Sequence, residues 1–69
     1  MAESVYKVIE LVGSSTDGWE QAAKAAVDRA SATVRNLRVA EVDKLDVHIE
    51  DGQLVYRARL RVSFKYEGE

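Results

Sequence analysis

Cysteine and proline are both absent from this 69-residue chain, and histidine, tryptophan and phenylalanine occur once each. Without cysteine no disulfide can staple the fold and no thiolate can hold a metal, which excludes the small metal-carrier domains built on Cys-x-x-Cys. Without proline the tiny oligomeric tautomerases that use an N-terminal proline as base are excluded as well. No apolar run approaches the ~18 residues that a bilayer crossing needs, and Met1-Ala2-Glu3-Ser4 does not begin the basic-then-apolar pattern of a signal peptide. The expectation is a soluble, cytoplasmic chain with no membrane partner. Net charge is also scarce. Ten Lys/Arg against twelve Asp/Glu leave −2, whereas a dedicated nucleic-acid binder carries a clear basic excess. At 46% hydrophobic residues the chain is too apolar to be disordered.

What is present is enough for one domain, residues 1–69, near the lower size limit for independent folding. Below ~70–80 residues a single core rarely supplies more than ~3–5 kcal/mol, and small folds compensate with disulfides, a metal or association. The first is impossible here and no ligand set announces the second, so a homo-oligomer is expected.

Four elements can be read. Residues 4–12 are β-branched and aromatic-rich and are punctuated by Gly13. They predict a strand with apolar residues on both faces, Tyr6, Val8 and Val12 on one and Val5, Ile9 and Leu11 on the other. The segment Gly13-Ser-Ser-Thr-Asp-Gly18 predicts a turn and helix entry, with Thr16 or Asp17 as N-cap and Glu20 completing a capping box. The helix should then run to about Val34. Trp19, Ala22, Ala23, Ala26, Val27, Ala30, Thr33 and Val34 form its buried stripe, Ala-rich enough for close approach to a sheet. Residues 38–50 predict a second strand with a bend near Asp43-Lys44, and Glu50-Asp51-Gly52-Gln53 a hairpin turn. In the last strand Leu54, Tyr56, Ala58, Leu60, Val62 and Phe64 alternate with Val55, Arg57, Arg59, Arg61, Ser63 and Lys65. The fold class is α+β. Its order is β-α-β-β, with a three-stranded antiparallel sheet packed on one helix and the arginines on the far face.

Candidate chemistry is sparse. The row Arg57, Arg59, Arg61, Lys65 can recognise phosphate or carboxylate, or can pair across strands with Glu10, Glu41, Asp43 or Glu50. Asp46, His48 and Glu50 share one strand face at i, i+2, i+4, so they could converge on a metal or simply form a solvated face. The acidic stretch around them does not match an EF-hand loop. The loop before the helix lacks the Lys-Ser/Thr of a P-loop and the three glycines of a dinucleotide site, and capping explains it. Trp19, Tyr6 and Tyr56 read as packing residues. No nucleophile, base and orienting group occur together, so the chain is not read as an enzyme.

Taken in order, Val5-Tyr-Lys-Val-Ile-Glu-Leu-Val-Gly-Ser-Ser, Trp19-Glu-Gln-Ala-Ala, Ala26-Val-Asp-Arg-Ala-Ser, Val39-Ala-Glu-Val42 and Tyr56-Arg-Ala-Arg-Leu-Arg-Val-Ser-Phe64 resemble the dodecin family over nearly the whole chain. The resemblance implies the same β-α-β-β fold and a hollow shell of twelve subunits, assembled as trimers joined across two-fold contacts. It also implies storage of riboflavin or flavin mononucleotide at the subunit interfaces without catalysis; some members hold coenzyme A. Flavin-binding members carry a tryptophan that stacks on the ring and a glutamine that bonds its edge. Here those positions hold Val39 and Arg57. An aromatic platform is worth ~1–3 kcal/mol per stacked ring, and arginine lacks the acceptor that an amide supplies. The pair Val39 and Arg57 is similar to a Trp-lacking branch that includes a calcium-binding dodecin. The leading expectation is therefore a non-enzymatic dodecamer that sequesters a small ligand or ion, with calcium a candidate, its ligands unassigned, and the flavin pocket altered. The alternatives are weakened flavin storage, or an anion or nucleic-acid module using the arginine row.

Overall fold

The computed structural model describes residues 3–66; the remaining residues of the expected 1–69 domain lie outside it. Its elements follow in the order β1 (Tyr6–Ser15), α1 (Trp19–Ser31), β2 (Leu37–Glu50) and β3 (Gln53–Lys65), with β3 central in an antiparallel sheet ordered β1-β3-β2. The expected α+β architecture is the one observed.

The core is small because its contributors are small. Ala22 and Ala26 from α1 pack with Ala58 and Leu60 from β3, with Leu11, Ala23 and Val27 half-buried around them; Ala30 and Val62 are buried as well. The Ala stripe lets the helix lie close, and the closest approach is at Gly13. A Cβ placed there would sit 2.0 Å from the Ala22 carbonyl oxygen and 3.1 Å from the Ala26 Cβ. Gly13 therefore does not end β1, as the sequence suggested. The strand continues through it to Ser15, and the residue is glycine because the helix crosses there.

The helix entry also differs from expectation. Neither Thr16 nor Asp17 caps it; Gly18 is the N-cap, at φ 153°, and the helix start has no side-chain cap hydrogen bond among the described residues. Asp17 instead donates its backbone N–H to Ser15 Oγ at 3.0 Å. The helix stops at Ser31, short of Val34. Thr33 and Val34 both donate to the Ala30 carbonyl, and Asn36 at φ 61° turns the chain into β2. Thr33 is exposed, so the buried stripe ends at Ala30 with Val34 half-buried beyond it.

β2 and β3 form a long hairpin closed by Asp51 (φ 50°) and Gly52 (φ 76°), the two positive φ values that a two-residue type I′ turn requires. The bend expected near Asp43-Lys44 is a bulge. Val42 pairs with Leu60, but Lys44, not Asp43, pairs with Arg59; a second shift separates Leu37 from Val39. The bulge keeps Leu45, Val47 and Ile49 on the helix side of the sheet, because a straight ladder would turn them to the arginine side.

Their side is correct but their cover is missing. α1 lies over β1 and β3 and scarcely touches β2, where every residue except Leu37 is exposed. Val42 (50%), Leu45 (51%), Val47 (39%) and Ile49 (70%), with Leu54 across the hairpin, leave a bare apolar strip beside the helix. The molecule is 54 × 20 × 16 Å with a radius of gyration of 14.3 Å, against roughly 11 Å for a compact chain of this length. Its accessible surface is 5416 Å², roughly 1,100 Å² above the value for a compact monomer of 7.7 kDa.

Candidate ligand surface on the arginine face

The sheet face away from the helix is built by alternation. β3 contributes Arg57, Arg59, Arg61, Ser63 and Lys65; β1 contributes Tyr6, Val8, Glu10 and Val12; β2 contributes Val39, Glu41, Lys44, Asp46 and His48. Register then decides which charges meet. Arg61 lies between Glu10 and Glu41; its Nε donates to Glu10 Oε2 at 3.3 Å, and Asp43, swung in by the bulge, approaches its Nη2 at 3.7 Å. Two of the four carboxylates expected to pair with this row therefore do so. Arg57 binds instead to Asp46, through Nε at 2.7 Å and Nη2 at 2.9 Å, a bidentate fork that fixes the guanidinium plane. These hydrogen bonds, reinforced by the Arg57 and Arg59 charges, hold the Asp46 carboxyl below the usual carboxylate range.

Asp46 is the hub that spacing alone did not reveal. While its carboxylate grips Arg57 on one face, its backbone carbonyl accepts the Trp19 indole N–H at 3.0 Å on the other. Trp19 is 40% exposed and stands edge-on to Tyr56, with ring centroids 5.1 Å apart and planes at 77°. The single tryptophan thus pins the helix start to the hairpin, in keeping with its reading as a packing residue.

The proposed metal trio does not assemble. Asp46 is committed to Arg57, and His48 Nε2 lies 3.8 Å from Glu50 Oε2 without Asp46 joining them. Among the described residues no group of three or more His, Asp or Glu could hold a metal ion. Val39 and Arg57, the two positions that the resemblance singled out, both lie on this face. Val39 is opposite Ser63 and 60% exposed, and Arg57 is six residues further back along β3, opposite Asp46. Beside the Arg57–Asp46 pair lies a cleft of ≈ 60 Å³ lined by Val12, Lys44, Asp46, Arg57 and Arg59. Among the described residues no helix is long and apolar enough to cross a membrane.

One short helix laid across two strands of a three-stranded antiparallel sheet, with a long hairpin projecting bare beyond it, defines a small two-layer α+β chain whose exposed surface is largely sheet. The chain belongs to the dodecin family: the Dodecin family model matches residues 5–67. It is 49% identical over 63 residues to the calcium dodecin of Mycobacterium tuberculosis, a match covering 90% of this chain and 89% of that protein. The crystal structure of the M. tuberculosis calcium dodecin, described as having a novel calcium-binding site, superposes with a TM-score of 0.87 at 46% identity over 96% of both chains. The dodecin of Streptomyces coelicolor superposes with a TM-score of 0.91 at 41% identity over the whole of both chains.

Proposed function

We propose that this chain, as a single domain, is the repeating unit of a closed homo-oligomeric shell, twelve copies arranged as trimers joined across two-folds. The shell sequesters a small ligand or ion at its subunit seams and catalyses no reaction. The observation that carries this is the uncovered apolar strip on β2. Val42, Leu45, Val47 and Ile49 stay largely exposed beside a helix that scarcely touches β2, and the roughly 1,100 Å² of excess surface is more than the about 800 Å² that a subunit gives to a standard-sized interface. Closed symmetry covers such a strip on every copy at once.

Calcium is the favoured cargo. The M. tuberculosis relative bears the name calcium dodecin, and calcium takes six to eight oxygen ligands. On this face Glu41 makes no ion pair among the described residues, whereas Glu10 and Asp43 would have to leave Arg61 to bind an ion. One chain gathers no such set among its described residues, so the ion would be shared, with carboxylates of different copies brought together by symmetry. Flavin is disfavoured. Exposed Val39 offers no stacking ring, and Arg57 is already committed to Asp46 through both of its donors on that side.

Native mass spectrometry tests the assembly: about 92 kDa is expected for twelve copies of the 7.7 kDa chain, and a mass of one chain at micromolar concentration would end the proposal. Equilibrium dialysis against calcium and a flavin fluorescence titration then identify the cargo. Calcium should be retained and riboflavin left unquenched. If Val39 and Arg57 are the whole difference, Val39→Trp with Arg57→Gln should restore quenching.

A further inference from the structure

Along the arginine row, Arg61 and Arg57 each have a carboxylate, and the residue between them does not. Arg59 is flanked by Val12 on β1 and by Lys44 on β2. Among the described residues neither Arg59 nor Lys44 makes an ion pair. Like charges directly opposite on one sheet face are destabilising. The bulge creates this juxtaposition. Continued from Val42↔Leu60 without a shift, the ladder would set Asp43 opposite Arg59. The observed register gives Asp43 to Arg61 and leaves Arg59 with a lysine. The result is a recess in which three cations face one carboxylate, and that carboxylate is hydrogen-bonded to Arg57 alone, so the lining carries an excess of two positive charges beside the apolar wall of Val12.

The geometry points to an oxyanion subsite in this cleft, with a phosphate group held between the Arg59 guanidinium and the Lys44 ammonium. Its ≈ 60 Å³ suits one such group. Guanidinium offers a planar pair of donors and ammonium a compact third, and together they meet several oxygens of a tetrahedral anion. Arg57, held by two hydrogen bonds to Asp46, adds its positive field to the cleft, and the Asp46 carboxylate on the same lining is the one negative group opposing it. The recess is formed within one chain, so the subsite does not depend on the assembly proposed above.

The test uses inorganic phosphate against chloride at matched ionic strength, with binding followed by calorimetry and by the thermal midpoint. Wild-type protein should bind phosphate saturably and gain thermal stability from it, with chloride doing neither. Arg59→Val and Lys44→Gln should each weaken phosphate binding by at least roughly tenfold, since each removes a charge-assisted contact, and each should melt higher than wild type in phosphate-free buffer because the repulsion is gone. Arg29→Gln, on the exposed side of the helix, should change neither. Absence of saturable binding to wild type overturns the proposal whatever the variants do. So does binding that survives both substitutions. If instead the two variants lose oligomeric mass while phosphate has no effect, a carboxylate of a neighbouring copy occupies the cleft and the subsite is refuted while the assembly stands.

Discussion

Replacing Gly13 with alanine isolates one contact and gives it a size. The new Cβ would lie 2.0 Å from the Ala22 carbonyl oxygen, 3.0 Å from its carbon and 3.1 Å from the Ala26 Cβ. Carbon and oxygen approach no closer than about 3.3 Å even in favourable C–H···O contacts, so strand and helix must part by about 1.3 Å. The obstacle is backbone, which cannot rotate aside as a side chain would. A gap of about 0.5–1 Å already forfeits about a quarter to a half of each dispersion contact, so one of about 1.3 Å forfeits at least about half along the seam. The seam here is the core itself, Ala22 and Ala26 against Ala58 and Leu60. Overpacking of this kind costs about 1–3 kcal/mol in tolerant sites, and a clash with a carbonyl belongs at or beyond the upper end. Gly52→Ala is the matched comparison. Its φ of 76° disfavours any side chain, but nothing lies within 4 Å of the added carbon, so about 1 kcal/mol is expected. At about 4–8 °C per kcal/mol for a chain of this size, Gly13→Ala should melt at least about 12 °C lower and Gly52→Ala only about 4–8 °C lower. Circular dichroism melts at one fixed protein concentration make the measurement, since association makes the midpoint concentration-dependent. If Gly13→Ala proves no more costly than Gly52→Ala, helix–strand approach is not what selects glycine at position 13.

Three further outcomes are expected. Leu45→Asp puts a charge in the bare β2 strip, and sedimentation should show loss of the assembled mass; an unchanged mass would place the seams elsewhere. Trp19→Phe keeps the edge contact with Tyr56 but loses the indole bond to the Asp46 carbonyl, which should cost about 1 kcal/mol in denaturant unfolding and leave ligand binding intact. Because Arg57 depresses the folded-state Asp46 value, the pair contributes stability that is fully present above the ordinary carboxylate value of 3.8 and is lost as pH falls through the lower folded value. Asp46→Asn should therefore lower the melting temperature at neutral pH and flatten its decline in acid, whereas parallel wild-type and variant curves across the acid limb would show that the pair carries no pH-dependent stability.

Much of the fold was legible because its signals are local. Six alternations in β3 specify one buried face, Asp51-Gly52 specifies the tight turn, and the interrupted alternation at Asp43-Lys44 announces the bulge. The helix stripe is visible in its alanines, and the family resemblance rests on motifs spread along the chain. Where expectation failed, the deciding contact was distant in sequence. Gly13 resembled the end of a strand because nothing near it says that Ala22 will pass above. Thr16 and Asp17 looked like caps, yet the backbone at Gly18 took that place and Ser15 captured the Asp17 amide.

The candidate site divides in the same way. That the arginines share a face follows from their period of two, which any strand imposes. Which carboxylate each receives depends on a single register offset, set by the bulge, that gives Asp43 to Arg61, Asp46 to Arg57 and a lysine to Arg59. Sequence alone determined the elements, their faces and the shortage of core, because periodicity and composition act residue by residue. Tertiary structure alone decided that the helix would cover β1 and β3 and leave β2 bare, and which charges would be paired, because both depend on where rigid elements come to rest against one another.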